Sequence, residues 1–228
     1  MTPTHFRAGN IFYIFLLSLI SYNSYSQTDN FEIQKSIYEK AKAYNDPNVA
    51  INALYNMVAI QPENLFLKDS LMREYLALSQ WAPTYMISRE ILSKDPSNLI
   101  ALEVSCVSLQ NLGLKQQALN EYESLYLKTE RVDVLYTISF LQFELSNFNE
   151  SLNNLNILIS SDKTVDMSVS VTKDETSRQE IPIRAQLHYL KSLIYIEQKN
   201  NDLAKVSLNE AIKISPDFQN AINKLNTL

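Results

Sequence analysis

Ala185–Phe218, AQLHYLKSLIYIEQKNNDLAKVSLNEAIKISPDF, is the stretch whose reading decides the fold. It reads as two amphipathic helices joined by a tight polar turn. Small and bulky residues hold fixed places along it: Ser192, Tyr195, Ala204, Leu208 and Ala211, with Pro216 past the second helix. One helix pair of this size cannot bury its apolar face alone, so it requires neighbours of its own kind.

Working back along the chain finds them. Pro62 and Pro96 lie 34 residues apart, each just past an apolar-periodic helix, where proline stops one helix and presets the next. That ruler marks out five units. The first runs from about Phe31 to Asn64; its second helix opens at Asp46-Pro47 and carries Ala50, Leu54 and Met57 on one face. The second, Leu65 to Asn98, has Leu71 and Tyr75 in its first helix, Trp81 in the turn and Pro83 at the start of its second helix. The third, Leu99 to about Arg131, has Gly113 in the turn, and its Ala118 follows Ala50 by 68 residues, two whole periods. The fourth, Val132 to about Val165, puts Phe148 at the turn; no proline closes it, and its register floats by one residue. The fifth is the opening stretch, whose Ala204 follows Ala50 by 154 residues, 18 more than four periods. Gln219–Leu228, with Ala221, Ile222 and Leu225 on one face, reads as a capping helix or a free tail.

The extra residues lie between units four and five. In Val165–Thr172 (VDMSVSVT), Val165, Met167, Val169 and Val171 alternate with polar residues, which is a strand with one apolar face. Lys173–Arg178 is a charged turn, and Gln179–Ile183 returns with Ile181 and Ile183 apolar and Pro182 confining it to an edge. The expectation is a β-hairpin over residues 166–184. Two strands alone are marginal in water. The apolar face therefore braces the neighbouring helices, or the free edge recruits another protein by strand addition.

The 34-residue period, the helix–turn–helix plan and the spacing of the small residues resemble the tetratricopeptide repeat. The likeness covers nearly the whole chain past the leader and is sharpest over residues 185–218. It departs from the family where the aromatic near the start of each first helix is replaced by Gln34, Lys68, Leu102, Leu135 and His188, and where the turn glycine survives only as Gly113. The resemblance implies an all-α fold: a right-handed α-solenoid of about five helix hairpins with one small β-hairpin insertion. Repeats one to four would fill residues 27–165, repeat five 185–218 and the cap 219–228. It also implies a non-enzymatic interaction scaffold or assembly adaptor, whose first helices line a concave groove for another protein's peptide or helix. Carried over position by position, the partner-binding residues are Arg73 in repeat two, Tyr136, Phe140 and Phe143 in repeat four, and Tyr189, Leu193 and Ile196 in repeat five. Some family members clamp a terminal carboxylate; here Lys35, Lys42 and Arg73 would be an incomplete clamp, with Glu39, Asp69 and Glu103 set to pair with them instead. The aromatic end suits an amphipathic helix or hydrophobic peptide, unless the cap or the hairpin fills it. The alternative function is an exported protein that captures glycan or peptide nutrients.

Composition agrees with short-turned helices: 2 glycines among 228 residues, with 46% hydrophobic. A net charge of -5 offers no footprint for nucleic acid. The single cysteine, Cys106, excludes an internal disulfide and reads as a small packing residue. His188 stands two repeats away and reads as a half-buried core histidine, so the two form no nucleophile–base pair. No phosphate loop, dinucleotide fingerprint or metal-ligand pair occurs, and no catalytic residue, cofactor or metal is expected.

The first 26 residues have the layout of a secretory signal. Arg7 lies in a polar start, Ile11–Ile20 is apolar, and Ser24 and Ser26 flank Tyr25 at a cleavage site that would leave Gln27 first. The other reading, a membrane anchor, needs roughly 20 apolar residues, about twice what this run supplies. No later apolar run approaches that length, so no stable membrane insertion is expected. The expected location is the periplasm or cell envelope of a Gram-negative bacterium, or the medium beyond it. Oligomeric state is left open.

Overall fold

The computed structural model describes residues 30–173 and 177–228; the expected leader lies outside them, as does the middle of the charged turn. Helix α1 occupies residues 30–43. It is followed by α2 (Pro47–Ile60), α3 (Leu65–Ala77), α4 (Trp81–Lys94), α5 (Leu99–Asn111), α6 (Lys115–Thr129), α7 (Val132–Glu144) and α8 (Phe148–Ser160). After a short 3-10 turn, Asp162–Thr164, come β1 (Ser168–Thr172), β2 (Arg178–Pro182), α9 (Ile183–Glu197), α10 (Asn201–Ile214) and α11 (Gln219–Leu225). The all-α fold of successive helix hairpins with one β-hairpin insertion is therefore present.

All five hairpins turn in the same way. Each passes through one residue in the left-handed region: Asn45 (φ 55°), Ser79 (54°), Gly113 (75°), Ser146 (62°) and Lys199 (60°). The next backbone N–H then reaches back five residues to the preceding helix, as in Asp46 to the Ala41 carbonyl (2.8 Å), Gln80 to Tyr75 (3.0 Å) and Asn200 to Tyr195 (2.8 Å). This is a Schellman closure, which satisfies carbonyls a helix end leaves open. Only one of the five positions is glycine, so the period persists in backbone shape where the residue type has been lost.

The left-handed positions also fix the register of the fourth hairpin. Gly113 and Ser146 are 33 residues apart rather than 34. Four residues separate α2 from α3 and α4 from α5, whereas only Glu130 and Arg131 separate α6 from α7. Glu130 is left-handed (φ 48°) and ends α6 abruptly, replacing the longer proline turn. Two sequence assignments shift: Trp81 and Phe148 begin their helices instead of lying in turns, and Pro83 sits within the first turn of α4. Proline is tolerated there because first-turn N–H groups have no intrahelical partner.

The described residues form two compact units that divide within α5, one ending at Val104 and the other beginning at Ser105. In the first, Ala50, Ala53, Leu54 and Met57 of α2 and Leu71 and Met72 of α3 are fully buried. Asp46 caps α2 by accepting from the Val49 N–H at 3.2 Å, and Asn64 caps α3.

In the second unit, one core joins Leu135 of α7, Leu155 and Leu158 of α8, and Ile183, Leu187, Leu190 and Ile194 of α9. Another joins Ile181, Ala185, Leu208, Ala211, Phe218 and Ala221. The hairpin touches both, through Met167 and Val169 on the first and Val169, Val171 and Ile181 on the second. It is shorter than expected. Val165 is exposed beyond the 3-10 turn, and Ile183 is the first residue of α9, two before Ala185. Pro182 is the N-cap of α9, where its missing N–H costs nothing.

Candidate functional site

Helix α7 turns two sides toward different surroundings. Val134, Leu135, Ile138 and Leu141 are buried, while Tyr136, Phe140 and Phe143 are half-buried at spacings of four and three. Those three pack against the core of α7, α8 and α9, and so does half-buried Leu193 of α9. The rings of Phe143 and Phe148 stand 6.3 Å apart. Burial raises the pKa of the Tyr136 hydroxyl, and Gln186 of α9 hydrogen-bonds it. The Oε1 atom of Gln186 is buried without a hydrogen-bond partner. Family-like groove positions in the fifth repeat include Gln186, but nothing in helical periodicity marks its side chain as buried rather than solvated.

The structure divides the seven residues carried over from the family. Tyr136, Phe140, Phe143 and Leu193 are half-buried and pack against one core. Tyr189 belongs to the other core, its ring edge-on to that of fully buried Phe218 at 5.2 Å. The cap therefore covers the Tyr189 end. Ile196 is half-buried on α9, outside both cores. Arg73 lies in the other unit, exposed, with its guanidinium 2.7 Å from Asp69.

Part of the β1 edge of the hairpin is occupied. In its ladder Val169 faces Ile181 and Val171 faces Gln179, so the carbonyls of Ser170 and Thr172 point outward. Arg178 donates to the first at 3.1 Å and Asn220 of α11 to the second at 2.8 Å. Gln179 donates to the Asp217 carbonyl at 2.8 Å and accepts from the Gln219 N–H. Arg184 ties the 3-10 turn to α9 through Thr164 and the Ser161 carbonyl. These contacts are those of a brace.

In the first unit, Lys42 is held 2.7 Å from Glu74, whose side chain is only 8% exposed, and the Tyr38 hydroxyl donates to the same carboxylate at 3.2 Å. Glu74 also went unnoticed in the sequence, its burial hidden among the charges of α3. Lys42 and Arg73 thus each have a carboxylate partner within their own unit.

His188 is half-buried; burial lowers its pKa, helped by Lys191 and Arg184 and opposed by Glu210. Cys106 is fully buried in α5. Among the described residues no group of three His, Cys, Asp or Glu side chains could hold a metal ion, and no helix is long and apolar enough to cross a membrane.

The sequence model of the tetratricopeptide repeat matches residues 185–218. No curated protein matches the chain. Among solved structures, YrrB, described as a TPR protein with an unusual peptide-binding site, is similar with a TM-score of 0.64 at 14% identity, over 84% of this chain and 89% of that one. A MamA protein gives a TM-score of 0.62 at 13% identity, over 83% and 93%. MamA from Desulfovibrio magneticus RS-1, from its residue 41 onward, gives 0.59 at 9% identity, over 82% and 96%.

Proposed function

We propose, for a chain that is a tetratricopeptide-repeat protein by fold and by the sequence of its fifth hairpin, a role as a non-enzymatic interaction scaffold. Its partner segment is an apolar helix or peptide lying along α7 and α9. One observation carries the reading: Tyr136, Phe140, Phe143 and Leu193, on the first helices of two successive repeats, are half-buried aromatic and aliphatic side chains packed on one core. Aromatic side chains anchor interfaces because they bury large area at small entropic cost. The orphaned Gln186 oxygen supports it, since an unpaired buried acceptor is costly and a partner's N–H would satisfy it. The similarity to YrrB, described with a peptide-binding site, supports an occupant of peptide size.

The leader layout supports a place in the cell envelope, with cleavage after Ser26. N-terminal sequencing of the chain recovered from the envelope should begin at Gln27. For the binding face, a photo-cross-linking amino acid placed at Ile196 should give one discrete adduct in the envelope. The same group at Leu127, which is 82% exposed on α6, should give none. Equal adducts from both positions would remove α9 from the binding face.

A further inference from the structure

The outer side of the first hairpin is chemically unlike the rest of the chain. Helix α2, PNVAINALYNMVAI, has no charged side chain in 14 residues. With α1 it lines an open depression of about 440 Å³, formed by Gln34, Ile37, Asn48, Val49, Asn52 and Asn56 among others, none of them charged. The amides are linked: the Asn56 Nδ2 donates to Gln34 Oε1 and to Asn52 Oδ1, both at 3.1 Å. Apolar residues stay exposed around them, Ile33 at 57% and Val49 at 42%.

The last hairpin is finished differently. There α11 lays Phe218 and Ala221, both fully buried, over α10. A repeat array needs a covered or polar outer face at each end. Ile33, Ile37 and Val49 leave the first hairpin's face uncovered and only partly polar among the described residues.

We infer that this face is a self-association surface on which a second copy of the chain docks about a two-fold axis. Three observations favour that occupant. First, cleavage after Ser26 leaves three residues ahead of α1, a reach of about 10 Å. Helix α2 is about 21 Å long, so the mature chain's own leading residues cannot cover it. Second, the lining offers no charge to a charged partner. Third, an amide both donates and accepts, so the row Asn48, Asn52, Asn56 is complementary to itself when run antiparallel against its copy. None of the residues lining the depression is a carboxylate, so the pairing puts no like charges at its centre.

The inference rests on the proposed cleavage, and N-terminal sequencing separates a failure there from a failure of the interface. The test is sedimentation of the chain from Gln27 at tens of micromolar. The expected mass is that of two chains, and added salt should not dissociate them. Val49→Lys with Asn52→Lys should weaken association at least tenfold with an unchanged circular dichroism spectrum. Asn52→Cys should cross-link to itself on mild oxidation, while Leu127→Cys should not. A one-chain mass at every concentration overturns the inference, as does a dimer that survives both lysines. A one-chain mass with α2 amides protected from exchange only when residues 1–26 are retained overturns it too, and assigns the face to the leader.

Discussion

Glu74 and its two partners share a boundary between water and core, and the cost of breaking them is lopsided. The Lys42 side chain is 51% exposed, so its ammonium returns to water if the carboxylate is removed. The carboxylate has no such route. Lys42→Met, which keeps the aliphatic stem, strands a buried charge with only the Tyr38 hydroxyl and should cost about 1–3 kcal/mol. Glu74→Gln still accepts from Tyr38 and loses only a half-exposed ion pair, worth at most about 1 kcal/mol. Urea midpoints should rank the two in that order; equal or reversed midpoints would mean that the ion pair is not what holds α3 to α1. His188 gives the pH counterpart. Its folded pKa lies below the unfolded value of about 6.5, chiefly through burial. The unfolded chain therefore binds the extra proton first as pH falls through that value. The neutral histidine's contribution is complete above it and declines toward and through the lower folded pKa. Lys191 and Arg184 strengthen the effect and Glu210 weakens it. Melting temperatures of the native chain should fall more between pH 7 and pH 5 than those of His188→Gln, and parallel curves would contradict this.

At the scale of elements, the Schellman turns decide why so much of the fold was legible and where legibility stopped. The 34-residue ruler worked because prolines and small helix residues sit at equivalent backbone positions. The turns themselves were nearly invisible, since Asn45, Ser79, Ser146 and Lys199 adopt a conformation that residue type does not announce. Left-handed backbone costs a side-chain-bearing residue about 1–2 kcal/mol, and glycine avoids that cost. At Gly113 nothing lies within 4 Å of where a Cβ would stand, so Gly113→Ala isolates the backbone term. It should destabilise the chain by about 1 kcal/mol. Lys199→Gly should move the same way in reverse, less the entropy glycine adds to the unfolded state. Denaturation midpoints that leave Gly113→Ala at the native value would show that the turn relaxes elsewhere. The hairpin was legible as alternation but not in its bounds, because Val165 and Ile183 continue the apolar pattern while a 3-10 turn and a proline cap take over the backbone. The candidate site was half legible for a similar reason. Helical position identified Tyr189, but only packing revealed that Phe218 takes it.

For the molecule as a whole, the two ends of the array carry opposite solutions to one problem. Each repeat gains stability from its neighbours, so a terminal repeat is short of partners by one side. At the C-terminal end a seven-residue helix and a hairpin supply the missing side, and Phe218 is where they meet: buried, against Tyr189, within the core that Ile181 and Leu208 complete. Removing that ring leaves a cavity the short helix cannot fill, so Phe218→Ala should cost about 3–5 kcal/mol locally. Because coupling in such an array runs from neighbour to neighbour, the loss should spread unevenly. Hydrogen exchange should accelerate in α11, α10, α9 and the hairpin, less in α7 and α8, and not measurably in α1 and α2. Uniform acceleration over all the helices would instead show one cooperative unit. That outcome would also change how the aromatic side chains of α7 are regarded. In a graded array, Tyr136 and Phe140 lie beside the region the cap steadies: a partner bound there would steady α7 and α9, and the cap steadies α9 through Tyr189.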